Sequence, residues 1–322
     1  MGYESKRTKL YKVILILLIG LASLSAARKD LNQLIALVND VQTFADRWFG
    51  DVLPTAQAHI IASVETCSEK ETETPLAGED FHWTGHLDKG KSIEIKGISG
   101  DISAEPASGS DIEVVAAKSA RRSDIDQVRI QFVEHPGGVT ICALYPSEDP
   151  NKVMSCQPGN SSENIGIRNN DVRVDFKVRV PAGVGFIGRT VNGEIRAASL
   201  ASNVSSHTVN GSIHISTSGY AEARTVNGEI LASLGNSNWS NAIEFKTVNG
   251  GITLDLPSSL STQVSADTFN GEITSDFSLS LSGAISRKHV SGTIGSGGRE
   301  LVIRTLNGSI NLRRSDQTQG SN

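Results

Sequence analysis

The sequence predicts an all-β protein: a single-stranded β-helix or solenoid of short repeats, right- or left-handed, preceded by an N-terminal signal or anchor and a short helical segment. Three observations lead there. A two-residue corner, mostly Asn-Gly, returns seven times between residues 192 and 308, at intervals of 16 to 22 residues. The residue before each corner and the second residue after its glycine are apolar in every copy. From Phe81 onward apolar and polar residues alternate with a period of two, and no pattern of helical length interrupts them.

The 322 residues make room for one large domain or two ordinary ones. Net charge is -5, and no basic block points to nucleic acid. Aromatic residues are scarce at 5%, and there are 31 glycines, a composition suited to many short strands and tight turns.

The first element, residues 1–27, reads as an export signal or membrane anchor. "MGYESKRTKLYK" is basic, Val13 to Leu21 is an apolar core, and small residues at Ser25 and Ala27 offer a cleavage site before Arg28. Uncleaved, residues 11–27 would hold the chain at a membrane; a full span takes roughly 20 residues. Residues 28–66 form the helical segment. Leu31, Leu34, Ile35, Val38, Val41, Ala45, Trp48 and Phe49 fall on one stripe, and Gly50 and Pro54 interrupt it. Residues 67–80 are charged and poor in apolar side chains, as in a linker.

Residues 81–189 read as an irregular β part of the solenoid, with "KSIEIKGISGDISAE" carrying a faint corner at Ser99-Gly100. Residues 190–314 are the regular repeats, and 315–322 a polar tail. The corners are Asn192-Gly193, Asn210-Gly211, Asn227-Gly228, Asn249-Gly250, Asn270-Gly271, Ser291-Gly292 and Asn307-Gly308. The apolar pairs flanking them are Val191 and Ile195, Val209 and Ile213, Val226 and Ile230, Val248 and Ile252, Phe269 and Ile273, Val290 and Ile294, and Leu306 and Ile310. One such repeat cannot bury its apolar side chains alone. Stacking repeats in register buries both members of each pair and satisfies the strand edges. Glycine accepts corner backbone angles that a β-branched residue does not, and asparagine bonds its own backbone or the Asn of the next coil. Asn-Gly is also the strongest hairpin signal, so a meander, sandwich or barrel stands as the competing geometry. The short, turn-like connections "SLASNVSS" and "STSGY" favour the solenoid. The polar tail is expected to blunt the open end of the stack, and the segment holding the cysteine loop to cover the front.

Three cysteines are present. Cys142 and Cys156 bracket a loop with two prolines, which in an oxidising compartment reads as a disulfide; the alternative is a buried thiol and a surface one. Cys67 is left over, to pair between chains as a dimer link or to stay free.

Chemistry is thinly signalled. His82 and His86 lie four apart, but the surrounding sequence does not look helical; His207 and His289 read as exposed ladder positions, and His214 as an outward residue between Ile213 and Ile215. No G-x-S-x-G, H-E-x-x-H or calcium-roll motif occurs. Glu194, Glu229 and Glu272 follow corner glycines, the position at which a carbohydrate-active β-helix would need converging carboxylates. Other copies carry Ser212, Gly251, Thr293 and Ser309 there, as in a scattered surface row. No catalytic, cofactor or metal residues are assigned, and no cofactor is expected.

Taken together, "FHWTGHLDKGKSIEIKGISGDI", "VRVDFKVRVPAGVGFIGRTVNGEI" and the later "TVNGEI" copies resemble the bacterial candidate-adhesin family DUF4097, from roughly Phe81 to Leu312. The resemblance implies a β-solenoid and an exported or membrane-anchored protein, and supplies no catalytic residues. The helical segment and the cysteine loop depart from the family pattern. The expectation is a non-enzymatic cell-envelope protein, periplasmic or at the surface, that meets an envelope protein or a glycan. A carbohydrate-active enzyme and an anchored structural or sensory module are the alternatives.

Overall fold

The computed structural model describes residues 76–77, 81–147, 154–159, 170–235, 239, 241–281, 286 and 288–315. The signal or anchor, the helical segment, Cys67 and most of the polar tail lie outside the described residues. Strand alternation in the sequence becomes strand alternation in space. Among the described residues, twenty-two strands form two sheets of eleven.

In chain order the front strands are β1 (Leu76–Ala77), β2 (Phe81–His86), β3 (Ser92–Lys96), β4 (Ile102–Pro106), β5 (Asp111–Ala120), β6 (Arg129–His135), β7 (Gly138–Leu144) and β8 (Arg173–Val180). The repeats follow as β9 (Gly185–Arg189), β10 (Ile195–Leu200), β11 (Val204–His207), β12 (Ile213–Thr217), β13 (Ala221–Arg224), β14 (Ile230–Leu234), β15 (Ile243–Lys246) and β16 (Ile252–Pro257). The last strands are β17 (Thr262–Asn270), β18 (Ile273–Ser275), β19 (Leu279–Leu281), β20 (His289–Ile294), β21 (Glu300–Asn307) and β22 (Ile310–Ser315).

Each coil has two strands, one per sheet, so the repeat unit is a two-sheet coil. Pairing between coils is parallel and in register: Ile195 lies opposite Ile213, Ile213 opposite Ile230, Ile230 opposite Ile252, and Ile252 opposite Ile310. Parallel ladders between successive repeats exclude the hairpin meander, whose neighbours would be antiparallel. The core lies between the sheets. Ile102, Ile195, Ile213, Ile230, Ile252 and Ile310 point in from one sheet, and Ile93, Ile95, Phe186, Phe245, Leu301 and Ile303 from the other, all fully buried.

Coil order in space departs from the single file that the sequence suggests. Along the stack the coils run β7/β8, β3/β4, β9/β10, β11/β12, β13/β14, β15/β16, β21/β22, β17/β18. The repeat around Asn307 therefore stands inside the stack, and the segment leading to the polar tail does not blunt its end. Antiparallel strands close the ends: β5 on β8 and β6 on β7 at the front, β20 on β17 at the other end.

Two further expectations are corrected. Ser291-Gly292 is no corner: Ser291 lies opposite Ser265 and Gly292 opposite Val264 within the capping strand β20, so Val290 and Ile294 are cap residues. The residue before each true corner is not interior. Val191, Val209, Val226, Val248 and Leu306 are half-buried on the outside of the bend, and Phe269 is 46% exposed. The chain turns between two inward positions, and the first of these is the threonine one residue earlier.

Candidate functional site

Four columns run along the stack past each Asn-Gly corner, one side chain per coil. The innermost is threonine. Thr190, Thr208, Thr225, Thr247, Thr268 and Thr305 are buried. Each hydroxyl reaches a corner-glycine carbonyl of the neighbouring coil: Thr208 to Gly193 at 3.0 Å, Thr225 to Gly211 at 2.9 Å, Thr247 to Gly228 at 2.9 Å, Thr305 to Gly250 at 2.8 Å and Thr268 to Gly308 at 2.7 Å. Thr190 makes the same contact to Gly100 at 3.3 Å. The aliphatic column is next, on the outside of the bend.

The third column is asparagine. Asn210, Asn227, Asn249, Asn307 and Asn270 each donate an amide N–H to the side-chain oxygen of the next Asn, at 2.7 Å in every rung. Close approach requires the corner glycines, and of these only Gly100 and Gly250 also have positive φ, +133° and +158°. A Cβ on Gly211 would stand 1.9 Å from the Gly193 carbonyl oxygen, and one on Gly228 2.1 Å from that of Gly211.

The fourth column is basic. Lys96, Arg189, His207, Arg224, Lys246 and Arg304 stand opposite one another in register on the outer face of one sheet. Six stacked cations would repel strongly, and two features relieve this. Carboxylates occupy the neighbouring positions: Arg189 pairs with Glu94 at 2.7 Å, Arg224 with Glu244 at 3.0 Å, and Arg304 with Glu244 and Asp267 at 3.9 Å each. In addition, His207 is neutral; burial, with the charges of Arg189 and Arg224, pushes its pKa down to about 3. It is half-buried, not the exposed ladder residue expected.

His207, Ser205 and Glu222 have the composition of a hydrolytic triad but the wrong polarity. Ser205 donates to Glu222 at 2.9 Å, so His207 Nε2, 3.0 Å from Ser205 Oγ, must donate to that oxygen. A nucleophilic serine instead gives its proton to the imidazole, and the carboxylate sits on the imidazole's other nitrogen.

The disulfide joins Cys142 to Cys156. With Leu144, Val133 and Met154 these cysteines form a small apolar cluster separate from the main core, which Met154 also touches. Glu94, its side chain only 4% exposed, clamps the segment that follows Cys156. It accepts from the Gly159 N–H at 2.9 Å and the Thr140 hydroxyl at 2.9 Å while pairing with Arg189. Lys96 donates to the Gln157 carbonyl at 2.6 Å. Burial lowers the Lys96 pKa, opposed by Glu94 and reinforced by Arg189. Gln157 and Gly159, just after the disulfide, thus lie over the first rungs of the basic column; the front of the stack is covered by β5 and β6.

On the other sheet His214 lies between Glu194 and Glu229, 3.6 Å from each, and Arg196 donates to both Glu194 at 2.8 Å and His214 Nδ1 at 3.2 Å. Glu194 and Glu229 are two coils apart, and Glu272 stands three coils beyond Glu229. The three do not converge on one point. His86 is exposed and faces Asp111 at 3.2 Å, and His289 pairs with Asp267. Among the described residues, no group of three or more His, Cys, Asp or Glu could hold a metal ion.

Sequence reasoning missed the threonine and basic columns, although their signal is plain: "RTVNG", "HTVNG", "KTVNG" and "RTLNG" repeat both residues just ahead of the corner.

These ladders define a two-sheet parallel β-solenoid with an asparagine spine and antiparallel caps. The family model Toastrack DUF4097 matches residues 86–313, and the chain belongs to that family. Among solved structures, the chain is similar to a candidate cell adhesion protein from Clostridium sporogenes, at 11% identity and a TM-score of 0.36, over 74% of this chain and 100% of that one. It is also similar to a candidate adhesin from Bacteroides fragilis, at 11% identity and a TM-score of 0.34, over 72% of this chain and 96% of that one. Neither TM-score reaches 0.5, so the family assignment rests on the sequence match. No curated protein matches the chain.

Proposed function

We propose that this is a non-catalytic, exported envelope protein whose solenoid presents repetitive outer faces for contact with an envelope protein or a glycan. One observation supports this most: outward polar side chains stand in columns, one per coil, rather than converging on a cleft. The face around His214 continues through Leu231, 36% exposed, to Thr253, Asn311 and Thr274 in adjacent coils. Asn311 donates to Thr253 at 3.3 Å and accepts from Thr274 at 2.7 Å, which fixes the row in place. Fixed hydroxyl and amide groups at the inter-coil spacing suit an extended, repeating partner better than a compact small molecule.

The test is binding of the purified full chain to a glycan array and to fractionated envelope proteins, alongside a Leu231→Glu variant. Retention that is lost in the variant is the expected result. Absence of retention of any glycan or envelope protein would overturn the proposal. So would glycan hydrolysis by the full chain that disappears in Glu194→Gln.

A further inference from the structure

The coil β21/β22 is a wedge. It stands between β15/β16 and β17/β18, and both neighbours hold it with the same chemistry. On one side Leu301 and Ile303 pair with Ile243 and Phe245, Ile310 pairs with Ile252, and Asn307 donates to Asn249. On the other side Leu301 and Ile303 pair with Val264 and Ala266, Ile310 pairs with Ile273, and Asn270 donates to Asn307.

Among the described residues, the only covalent link from the wedge to the rest of the stack is the stretch Gly-Ser-Gly-Gly-Arg, 295–299. It crosses over the start of β17, because β20 and β21 flank that strand on opposite sides. Gly295, Gly297 and Gly298 have φ of +60°, +81° and +152°, so a glycine hinge makes the crossing. Each of the three can reach extended backbone without steric penalty.

We propose that the slot between β15/β16 and β17/β18 takes β21/β22 from a second copy of this chain, giving a dimer by reciprocal coil exchange. Exchange preserves every rung, since the same residues meet in the same register. The balance between closed monomer and exchanged dimer then rests on hinge conformation and protein concentration alone. The repeated corner makes the slot tolerant, because a coil entering from either molecule finds identical Thr, Asn and Ile partners above and below.

Two variants of the full chain test this, each with one free cysteine beside the Cys142–Cys156 disulfide and both carrying Cys67→Ser. One has Asn249→Cys and the other Asn307→Cys. Adjacent rungs are about 4.8 Å apart, within disulfide reach. The two are mixed, passed through mild urea and back, and oxidised. Exchange predicts covalent heterodimers in clear excess over both homodimers, and light scattering should show a dimer share that rises with concentration. Placing both cysteines in one chain checks that the rungs cross-link at all, by closing within the monomer. The proposal is overturned if dimers appear only in the proportions of random collision, or if scattering shows a monomer at every concentration.

Discussion

Thr225→Val separates two explanations of the buried threonine column. If threonine is there as a β-branched strand former, valine should serve equally well or better. If it is there for its hydroxyl, valine should cost stability. Thr225 is 2% exposed, and its hydroxyl donates at 2.9 Å to the Gly211 carbonyl, which has no other donor among the described residues. Losing a net hydrogen bond costs about 1 kcal/mol, and stranding the carbonyl about 1 to 3 kcal/mol if water does not reach it. Gly211 is half-buried, which places the second figure at its low end. Exchanging hydroxyl for methyl returns about 0.8 kcal/mol of burial. A net loss of about 1 to 2 kcal/mol is therefore expected from urea denaturation followed by circular dichroism. Thr225→Ser, which keeps the hydroxyl, should lose less through that bond. A Thr225→Val protein as stable as the parent, or more so, would refute the hydroxyl explanation.

Gly211→Ala should cost roughly 3 kcal/mol or prevent folding, because its Cβ would stand 1.9 Å from a backbone oxygen; a urea midpoint near that of the parent would contradict the packing described. Ser206→Ala should stabilise the protein by about 1 kcal/mol, since the Ser206 hydroxyl is buried without a partner and Ala223 fills the equivalent place in the next coil. His207 makes stability depend on pH. Its folded pKa of about 3 lies below the ordinary 6.5, so the unfolded chain binds a proton that the folded chain refuses. Stability should fall as pH drops from about 6.5 towards 3, by roughly 1 to 3 kcal/mol from this group. His207→Gln should flatten that part of the thermal-melt profile, and an unchanged profile would mean that His207 is not held neutral.

The coil, its isoleucine column and its asparagine spine were legible in the sequence because they depend on local spacing. Ile195, Ile213, Ile230 and Ile252 recur two residues after a corner glycine, and only stacking makes use of that recurrence. Which side of the bend is interior was less legible. Val191 and Thr190 are both β-branched, and hydrophobicity favours valine for the core. The structure puts threonine there because a bend that turns the chain inward leaves the glycine carbonyl needing a donor, and Thr190 can supply it. Ser291-Gly292 misled for a related reason: an apolar residue before and an isoleucine after are also what an edge strand packed on a core displays. The basic column, although Arg, His or Lys recurs directly ahead of the corner threonine, draws no attention one residue at a time. Lys96, Arg189 and His207 look like ordinary outward residues until register places them over one another.

Stack order was illegible for a deeper reason, which the caps explain. Because every corner carries nearly the same rung, any coil can lie on any other with Asn on Asn and Ile on Ile, and the repeats do not encode their own sequence of stacking. The choice falls to strands that lack the phrase. β17 has two edges in its sheet. β20 takes one, antiparallel from Thr262–Ile294 to Asp267–His289. That leaves β21 only the edge facing β15, and the insertion of β21/β22 follows. The front obeys the same logic: β5 and β6 occupy the outer edges of β8 and β7, so β9/β10 can add only on the far side of β3/β4. Uniform rungs supply cohesion without order, and antiparallel caps supply order by removing edges. A further coil between β13/β14 and β15/β16 would leave both caps intact and lengthen the outer faces by one row.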